Sequence, residues 1–507
     1  MPFVSAGVYV RELDFSDYVP ALSSTILGLL GGATKGKLNT PTLITNENEL
    51  VNVFGKPTTD DYGLQSAVHY LKQGRQLMFS RVADSDVDTA HRMVKDSAAA
   101  SVFEVFAASP GSWGNGISID VANGSGTGLY NIVVNAVVDQ SGALAVVEKY
   151  LDVSLSSTNA RFIETVINDG IVGETSPSRY ITVTLSDGTK IPVVGNYALL
   201  EGADGISGLS AADYIGTVTG QTATGLKALA NPERYNLNLL AIPGVSDPSV
   251  VNEMIATARG RADTLALVDS PFGLDVGGVV DWHNGEGYGH DAFNDSFGAL
   301  YWPWVKVYDA YNKKEAFMPP SGFVTAQMAY NDYVADPWFA AAGFSRGLIR
   351  AGVELEMSPD LGQRDALYGD GNAVNPIVNF TREGITIWGD RTLQRRPTAL
   401  DRVNVRRMLL YVEKVIATSV RYLVFEPNDP TTWRRFVGLV TPSLEFVKAR
   451  RGLYDYRVIC DETTNPAYLI DQNHMNGRLL LKPTKNAEVI TIDFVVLSTG
   501  AKFSEQI

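Results

Sequence analysis

Several spacings in this 507-residue chain place chemically capable residue types together. Gly31-x4-Gly36-Lys37 follows the apolar run Ile26 to Leu30 and matches most of a phosphate-binding loop, whose backbone N–H groups cradle phosphates while the lysine reaches them. Position 38 is leucine, however, so no hydroxyl is there to hold magnesium. Pro41 blocks the helix whose N-terminus would face the phosphate. Gly343-Phe344-Ser345-Arg346-Gly347 has the spacing of a nucleophile elbow, and in the usual order its triad needs a downstream histidine, for which there is only His474. The preceding Phe339-Ala340-Ala341-Ala342 lacks the β-branched character of a central strand. Asp84-x-Asp86-x-Asp88 opens like a calcium loop, but Thr89 stands where the turn glycine belongs and Lys95 replaces the bidentate glutamate. Asp281, His283, Glu286, His290 and Asp291 crowd a Gly-rich stretch, which reads as a surface loop before it reads as a metal site. The expectation is no enzyme, with no catalytic, cofactor-binding or metal residue. A serine hydrolase resting on Ser345, or a metal enzyme resting on His283, is the alternative from another class.

Composition narrows the classes further. Hydrophobic residues make up 45% and charged residues 19%, the balance of a folded chain with a core. At about 150 residues per domain, the length implies about three domains. No run of about 18 apolar residues occurs, so no membrane insertion is expected. The start, Met1-Pro2-Phe3-Val4, lacks a basic segment followed by an apolar core, so no secretory signal is expected. A single cysteine, Cys460, excludes an internal disulfide and suits a reducing compartment. The net charge of −14 argues against direct nucleic-acid binding. Yet the segment from Arg382 to Arg457 holds 15 Lys plus Arg against 8 Asp plus Glu. That asymmetry suggests a face meant for an acidic partner, set against the plainer reading of a solvated surface.

The elements that would position these residues follow from periodicity. Val4, Ala6, Val8 and Val10 alternate with polar or small neighbours, as a strand does, and Pro2 suits a strand start. Leu13 to Pro20 reads as a linker. Ile26 to Leu30 and Leu77 to Val82 read as buried strands around a helix from Gly63 to Lys72, the beginning of an α/β layer. Between about Val102 and Leu200, runs such as Ile132 to Val134, Tyr180 to Leu185 and Ile191 to Val194 alternate with turn residues, an all-β pattern with a hairpin turn at Asp187-Gly188. The α/β rhythm then returns with strands at Leu237 to Ile242 and Thr264 to Val268 and a helix from Ser249 to Arg259, capped by Asp247-Pro248. From Val405 to Leu423 an amphipathic helix places Arg402, Arg406 and Arg407 largely off its apolar face. Asp429-Pro430 opens a second helix that Pro442 should kink or interrupt. Strands follow at Tyr456 to Cys460 and Arg478 to Leu481. Ile490, Ile492, Phe494 and Val496 then repeat the alternation of the N-terminal segment. A lone strand cannot satisfy its own backbone groups, so both ends are expected to join some other sheet.

In order along nearly the whole chain, the residues resemble the contractile tail sheath proteins of bacteriophages and related injection systems. Ala6-Gly7-Val8-Tyr9-Val10-Arg11-Glu12 resembles the family's opening arm, and Ile26 to Gly36 with Pro41 to Thr45 and Phe54-Gly55 its first strand, turn and strand. Ser109-Pro110-Gly111-Ser112-Trp113-Gly114-Asn115-Gly116 is similar to a family signature. Gly202 to Gly205, Asp213 to Gly216, Ile242-Pro243-Gly244, Tyr301 to Trp304 and Pro319 to Gly322 follow in the expected order. Ile387 to Leu393, Val403 to Arg407 and Phe425-Glu426-Pro427-Asn428-Asp429-Pro430 with Trp433 resemble the C-terminal core. Ser5-Ala6 departs from the usual proline before Gly7, and Ala340 to Gly347 follows the family's alanine-rich loop only loosely.

The resemblance implies an α/β multidomain fold: a subtilisin-like α/β domain, a β-rich insertion, an α+β C-terminal domain and extended terminal arms. The implied boundaries are an arm at 1–22, the α/β sheath domain at 23–101 and 201–370, and the outer insertion at 102–200. A tube-proximal domain at 371–488 and a C-terminal strand and arm at 489–507 complete the chain. It implies a structural subunit that polymerises as stacked rings around an inner tube and contracts to drive the tube through the target cell envelope. The alternative is the sheath of a phage-derived bacteriocin or another injection system. The implied partners are further copies, the tail tube protein, and baseplate and tail terminator proteins. No cofactor is implied, and the implied place is the virion tail, assembled in the host bacterial cytoplasm. In related sheaths both arms add strands to neighbouring subunits, which gives Val4, Val8, Val10, Ile490, Ile492, Phe494 and Val496 that role. Arg402, Arg406, Arg407, Arg434 and Arg435 are then the candidates to face an acidic tube surface.

Overall fold

A computed structural model describes residues 25–59, 61–137, 143–369 and 371–491. The described chain divides between Ser419 and Val420 into two compact units.

The first unit is organised by eight strands: β1 (Ile26–Gly31), β2 (Thr42–Ile44), β3 (Gln76–Arg81), β4 (Leu239–Ala241), β5 (Leu265–Asp269), β6 (Gly298–Trp302), β7 (Val374–Phe380) and β8 (Gly384–Ile387). They lie side by side in the order β2, β3, β1, β4, β5, β6, β7, β8. The six inner strands are parallel, and β2 and β8 pair antiparallel at the two edges. Parallel strands are covered on both faces and so read as continuous apolar runs. In β1, Leu27 and Leu29 enter one core while Ile26 and Leu30 enter another. Helix α1 (Glu47–Phe54), helix α2 (Tyr62–Leu71) and a later helix at Pro320–Val334 feed the first core; helix α3 (Pro248–Arg261) and helix α4 (Val276–Asn284) feed the second. The sheet continues past residue 370, where the sequence placed a domain boundary, because β7 and β8 bury Val374, Ile377, Ile385 and Ile387.

Two buried carboxylates cap helices at the carboxyl ends of the parallel strands. Asp61 accepts from the Gly63 N–H at 3.2 Å. A Cβ on Gly31 would stand 2.6 Å from the Gly63 Cα, so helix α2 can dock on β1 only with glycine at both places. Asp269, ending β5, accepts from the Ser321 N–H at 2.8 Å, the Ser321 hydroxyl at 2.6 Å and the Gly244 N–H at 3.1 Å. The Ile242-Pro243-Gly244 and Pro319-Pro320-Ser321-Gly322 strings thus meet at one carboxylate. Burial pushes Asp61 up to about 7 and Asp269 up to about 6.

Between β3 and β4 lies a β-rich body with its own core, from Ala90 to Leu199. Residues His91–Lys95, Ser101–Ala107 and Ile181–Leu185 form one antiparallel sheet, and Gly195–Ala198, Ile117–Asn123, Leu129–Val137 and Leu144–Ser154 a second. Ile191 to Val194 is not a strand. Pro192 has no N–H to donate, Val193 makes a single backbone bond to Lys95, and the strand begins at Gly195. Asp187 forms a side-chain turn onto Thr189, but the chain leaves it for the other sheet, so no hairpin results.

One buried arginine ties this body to the sheet. Arg81, at the end of β3, is fully buried and donates to the carbonyls of Gly36 (2.8 Å), Pro110 (2.6 Å) and Asp204 (3.0 Å). Those carbonyls belong to the turn after β1, to the loop after Ala107 within the β-rich body and to the segment that leaves it. Burial lowers the guanidinium's pKa to about 10. Asp204 in turn accepts from the Ser112 N–H (2.6 Å) and hydroxyl (2.8 Å), and Asn115 exchanges two bonds of 2.9 Å with the Gly202 backbone. The Ser109 to Gly116 signature is the clasp that closes this root. Gly111 must be glycine, since at φ +130° a Cβ would lie 2.0 Å from the Thr34 carbonyl oxygen.

In the second unit, Pro430–Ala449 forms one unbroken helix. Pro442 does not interrupt it, because Trp433, Phe436, Val440, Leu444 and Val447 bury a continuous stripe whose packing outweighs one missing backbone bond. An antiparallel pair, Leu453–Ile459 with Arg478–Pro483, follows.

Replacing Arg81 by methionine keeps the volume and leaves three carbonyls without their donor; at about 1–3 kcal/mol for each buried unsatisfied group, a loss of at least 3 kcal/mol is expected in urea unfolding. Asp61 and Asp269 have folded-state pKa values above the ordinary carboxylate value of 3.8, so folding takes up protons. The stability they confer is full below about pH 4 and is lost as pH rises through about 6 and 7. Asp61→Asn keeps the cap and should remove roughly 3–4 kcal/mol of that pH dependence, read from urea midpoints between pH 4 and 8.

Candidate functional site: assembly surfaces

The loops that looked catalytic are filled by the chain's own side chains. In the loop resembling a phosphate cradle, the Gly36 N–H donates to Ser109 Oγ at 3.0 Å and its carbonyl takes Arg81. Ser345 lies exposed on the single helical turn Gly343–Arg346, not at the end of a central strand. Asp84 accepts from the Asp86 N–H at 2.8 Å and the Gly208 N–H at 2.7 Å, so its oxygens close a turn. His283 is buried at the end of α4, where burial lowers its pKa to about 4, while Asp281, Glu286 and Asp291 point to solvent. His290 stacks on Phe293, with ring centroids 4.7 Å apart. Among the described residues no group of three or more His, Cys, Asp or Glu could hold a metal ion. Among them, too, no helix is long and apolar enough to cross a membrane.

What the second unit offers is an open sheet. The pair Leu453–Ile459 and Arg478–Pro483 has no third strand among the described residues. Arg478, Leu480 and Lys482 face out while Leu479 and Leu481 are half-buried, a period-two surface. The long helix holds the pair from one side through Tyr456, whose hydroxyl donates to Glu445 at 2.6 Å, and through Lys448 to Asp455 at 3.0 Å. The residues before the helix fix its start. Asp429 accepts from the Thr431 and Thr432 N–H groups at 2.8 and 2.9 Å, and Asn428 accepts from Trp433 Nε1 at 2.8 Å while donating to the His474 carbonyl at 2.8 Å. An isolated two-stranded pair is marginal in water, and its two outer edges are templates for added strands. Of the residues expected to add them, Val4, Val8, Val10, Ile492, Phe494 and Val496 lie outside the described residues. Ile490 is described: it is in no strand and is 77% exposed, beside Val489 at 86%.

The basic candidates divide. Arg406 and Arg407 are internal, which corrects the expectation that they face a partner. Arg406 stacks over Phe297, 3.5 Å from the ring centroid, and Arg407 pairs with Asp332 at 2.5 Å. Arg402 is partly buried and pairs with Asp401 at 3.0 Å. Arg434 is exposed, and Arg435 is exposed with Glu426 at 3.6 Å. Arg81 and Asp332, both central to the structure, were not singled out from the sequence. Arg81 had a legible signal, a charge ending the apolar run Leu77 to Phe79; Asp332 had none.

Comparison with known proteins agrees with this picture. Residues 208–393 match the phage tail sheath protein central domain, and residues 396–496 match the phage tail sheath C-terminal domain. The tail sheath protein of Vibrio phage KVP40 is 33% identical over 354 residues, covering 66% of this chain and 51% of that protein. The chain spans about half the length, or less, of the curated relatives it matches. The sheath tail protein from Listeria innocua shares the fold at a TM-score of 0.61 and 12% identity, over 92% of this chain and 96% of the other. The sheath of the extracellular contractile injection system PVC, in its contracted state, does so at 0.55 and 16% identity, over 98% of both chains. With the two family models together spanning more than half of its residues, the chain belongs to the phage tail sheath family.

Proposed function

We propose that this chain is the structural subunit of a contractile tail sheath, with no catalytic role. Its copies polymerise as stacked rings around an inner tube, and contraction drives the tube through the target cell envelope. The observation that carries the reading is the pair in the second unit that has no third strand among the described residues, set beside two terminal sequences that alternate as strands do. Strand addition satisfies main-chain donors and acceptors, and alternating side chains set its register. A mesh of such strands keeps copies linked while they rotate and slide. The extended sheath is then a kinetically trapped state whose free energy contraction releases, so no nucleotide is needed. The subtilisin-like shape of the α/β body, the tube-proximal place of the C-terminal part, the baseplate and terminator partners, and assembly in the host cytoplasm belong to the same reading.

Deleting residues 1–20 should leave a soluble, folded monomer that forms no sheath in negative-stain microscopy; ordinary cylinders from the truncated chain would refute the linkage. With Arg406 and Arg407 internal, the tube-facing role is proposed for Arg402, Arg434 and Arg435. Exposed pairs contribute about 0–1 kcal/mol each, enough to hold collectively and release on contraction. Exchanging Arg434 and Arg435 for glutamate should impair assembly around tubes, most at low salt; unchanged assembly at low and high salt would sink that role.

A further inference from the structure

Three parts of the first unit meet at one oxygen atom. Asp332, in the helix Pro320–Val334, has a side chain only 8% exposed, against an Arg407 side chain 6% exposed. Its Oδ2 accepts both from Arg407 Nη2 at 2.5 Å and from the Thr25 hydroxyl, while Oδ1 has no hydrogen-bond partner. The Thr25 carbonyl accepts from the hydroxyl of fully buried Tyr70, in α2, at 2.9 Å. Thr25 is the residue just ahead of β1. Arg407 lies in the second turn of the helix Val403–Val420, which runs to the end of the first unit.

That helix is fastened to the body at several further points. Asn404 donates to the Trp338 carbonyl at 3.1 Å, Tyr411 meets the Trp338 ring edge-on at 5.6 Å, and Lys414 donates to the Leu237 carbonyl at 2.6 Å and pairs with Asp263 at 3.3 Å. The start of β1 is held through Ile26, whose N–H donates to Asn238 Oδ1 at 3.0 Å and whose carbonyl accepts from the Asn238 N–H at 2.9 Å. A pull on the chain ahead of Thr25 would otherwise fall on the ladder bonds that β1 makes to β3 and β4. The bonds at Thr25 stand in front of that ladder and lead to a helix held at many points.

We propose that Thr25, Asp332 and Arg407 form a mechanical junction that delivers a pull on the N-terminal segment into the helix Val403–Val420, sparing β1. This rests on the reading that a neighbouring copy holds that segment. The test is force spectroscopy on the full-length monomer, between an N-terminal tag and a cysteine handle at Arg421 in a Cys460→Ser background. Thr25→Val removes only the hydroxyl and keeps the buried ion pair, so the fold should survive, as thermal melting will verify; Asp332→Asn is the second variant. Both should lose the first high-force event. The Ile26 and Leu27 amides of Thr25→Val should exchange about tenfold faster, the worth of one bond to a charged group. With the first handle at Thr45 in place of the N-terminus, the same variants should match the unsubstituted chain, which a general loss of stability would not allow. Equal first-event forces in all three proteins overturn the junction. Sheath formation by the chain lacking residues 1–20 would defeat the neighbour reading while leaving this force signature untouched.

Discussion

The architecture depends on a buried cation whose hydrogen bonds go to backbone carbonyls. Arg81 sits at the end of a central strand, fully buried, and spends its donors on three backbone carbonyls. A guanidinium suits this task because its donors form a rigid fan and its charge is delocalised and weakly hydrated. Each carbonyl belongs to a different passage of chain. The turn after β1, a loop of the β-rich body and the segment leaving that body are therefore fixed by one side chain, with Asp204 and Asn115 closing the same root. The loop resembling a phosphate cradle has its positive charge after all, but that charge comes from inside the protein and serves to hold the fold.

Much of this was legible in the sequence. Buried parallel strands announce themselves as apolar runs, and Ile26 to Leu30, Leu77 to Val82 and Thr264 to Val268 lie on or within a residue or two of β1, β3 and β5. Helix starts were equally clear, since Asp247-Pro248 and Asp429-Pro430 pair a cap with a proline at the first helical position. What periodicity could not show was what surrounds a helix. The arginines of Val403–Val420 lie off its apolar stripe, the pattern of a solvated face. Yet Phe297 and Asp332 come from distant sequence to cover Arg406 and Arg407, and Asp263 to pair with Lys414. Pro442 failed as a breaker for a related reason: a buried stripe of five large side chains is a tertiary fact that local propensity does not contain.

The motif strings that carry the resemblance now have separate physical meanings. Ser109 to Gly116 is a clasp, Ile242 to Gly244 and Pro319 to Gly322 share the carboxylate of Asp269, and Asn428-Asp429 starts and locks a helix. Each holds one passage of chain against another through hydrogen bonds.

The two-stranded pair in the second unit has one further consequence. Its outward residues include Arg478 and Lys482, and Pro483 ends the strand without an N–H. Two copies meeting strand to strand would bring like charges together and leave donors missing. The edge is therefore poorly matched to itself and better matched to a neutral, alternating segment.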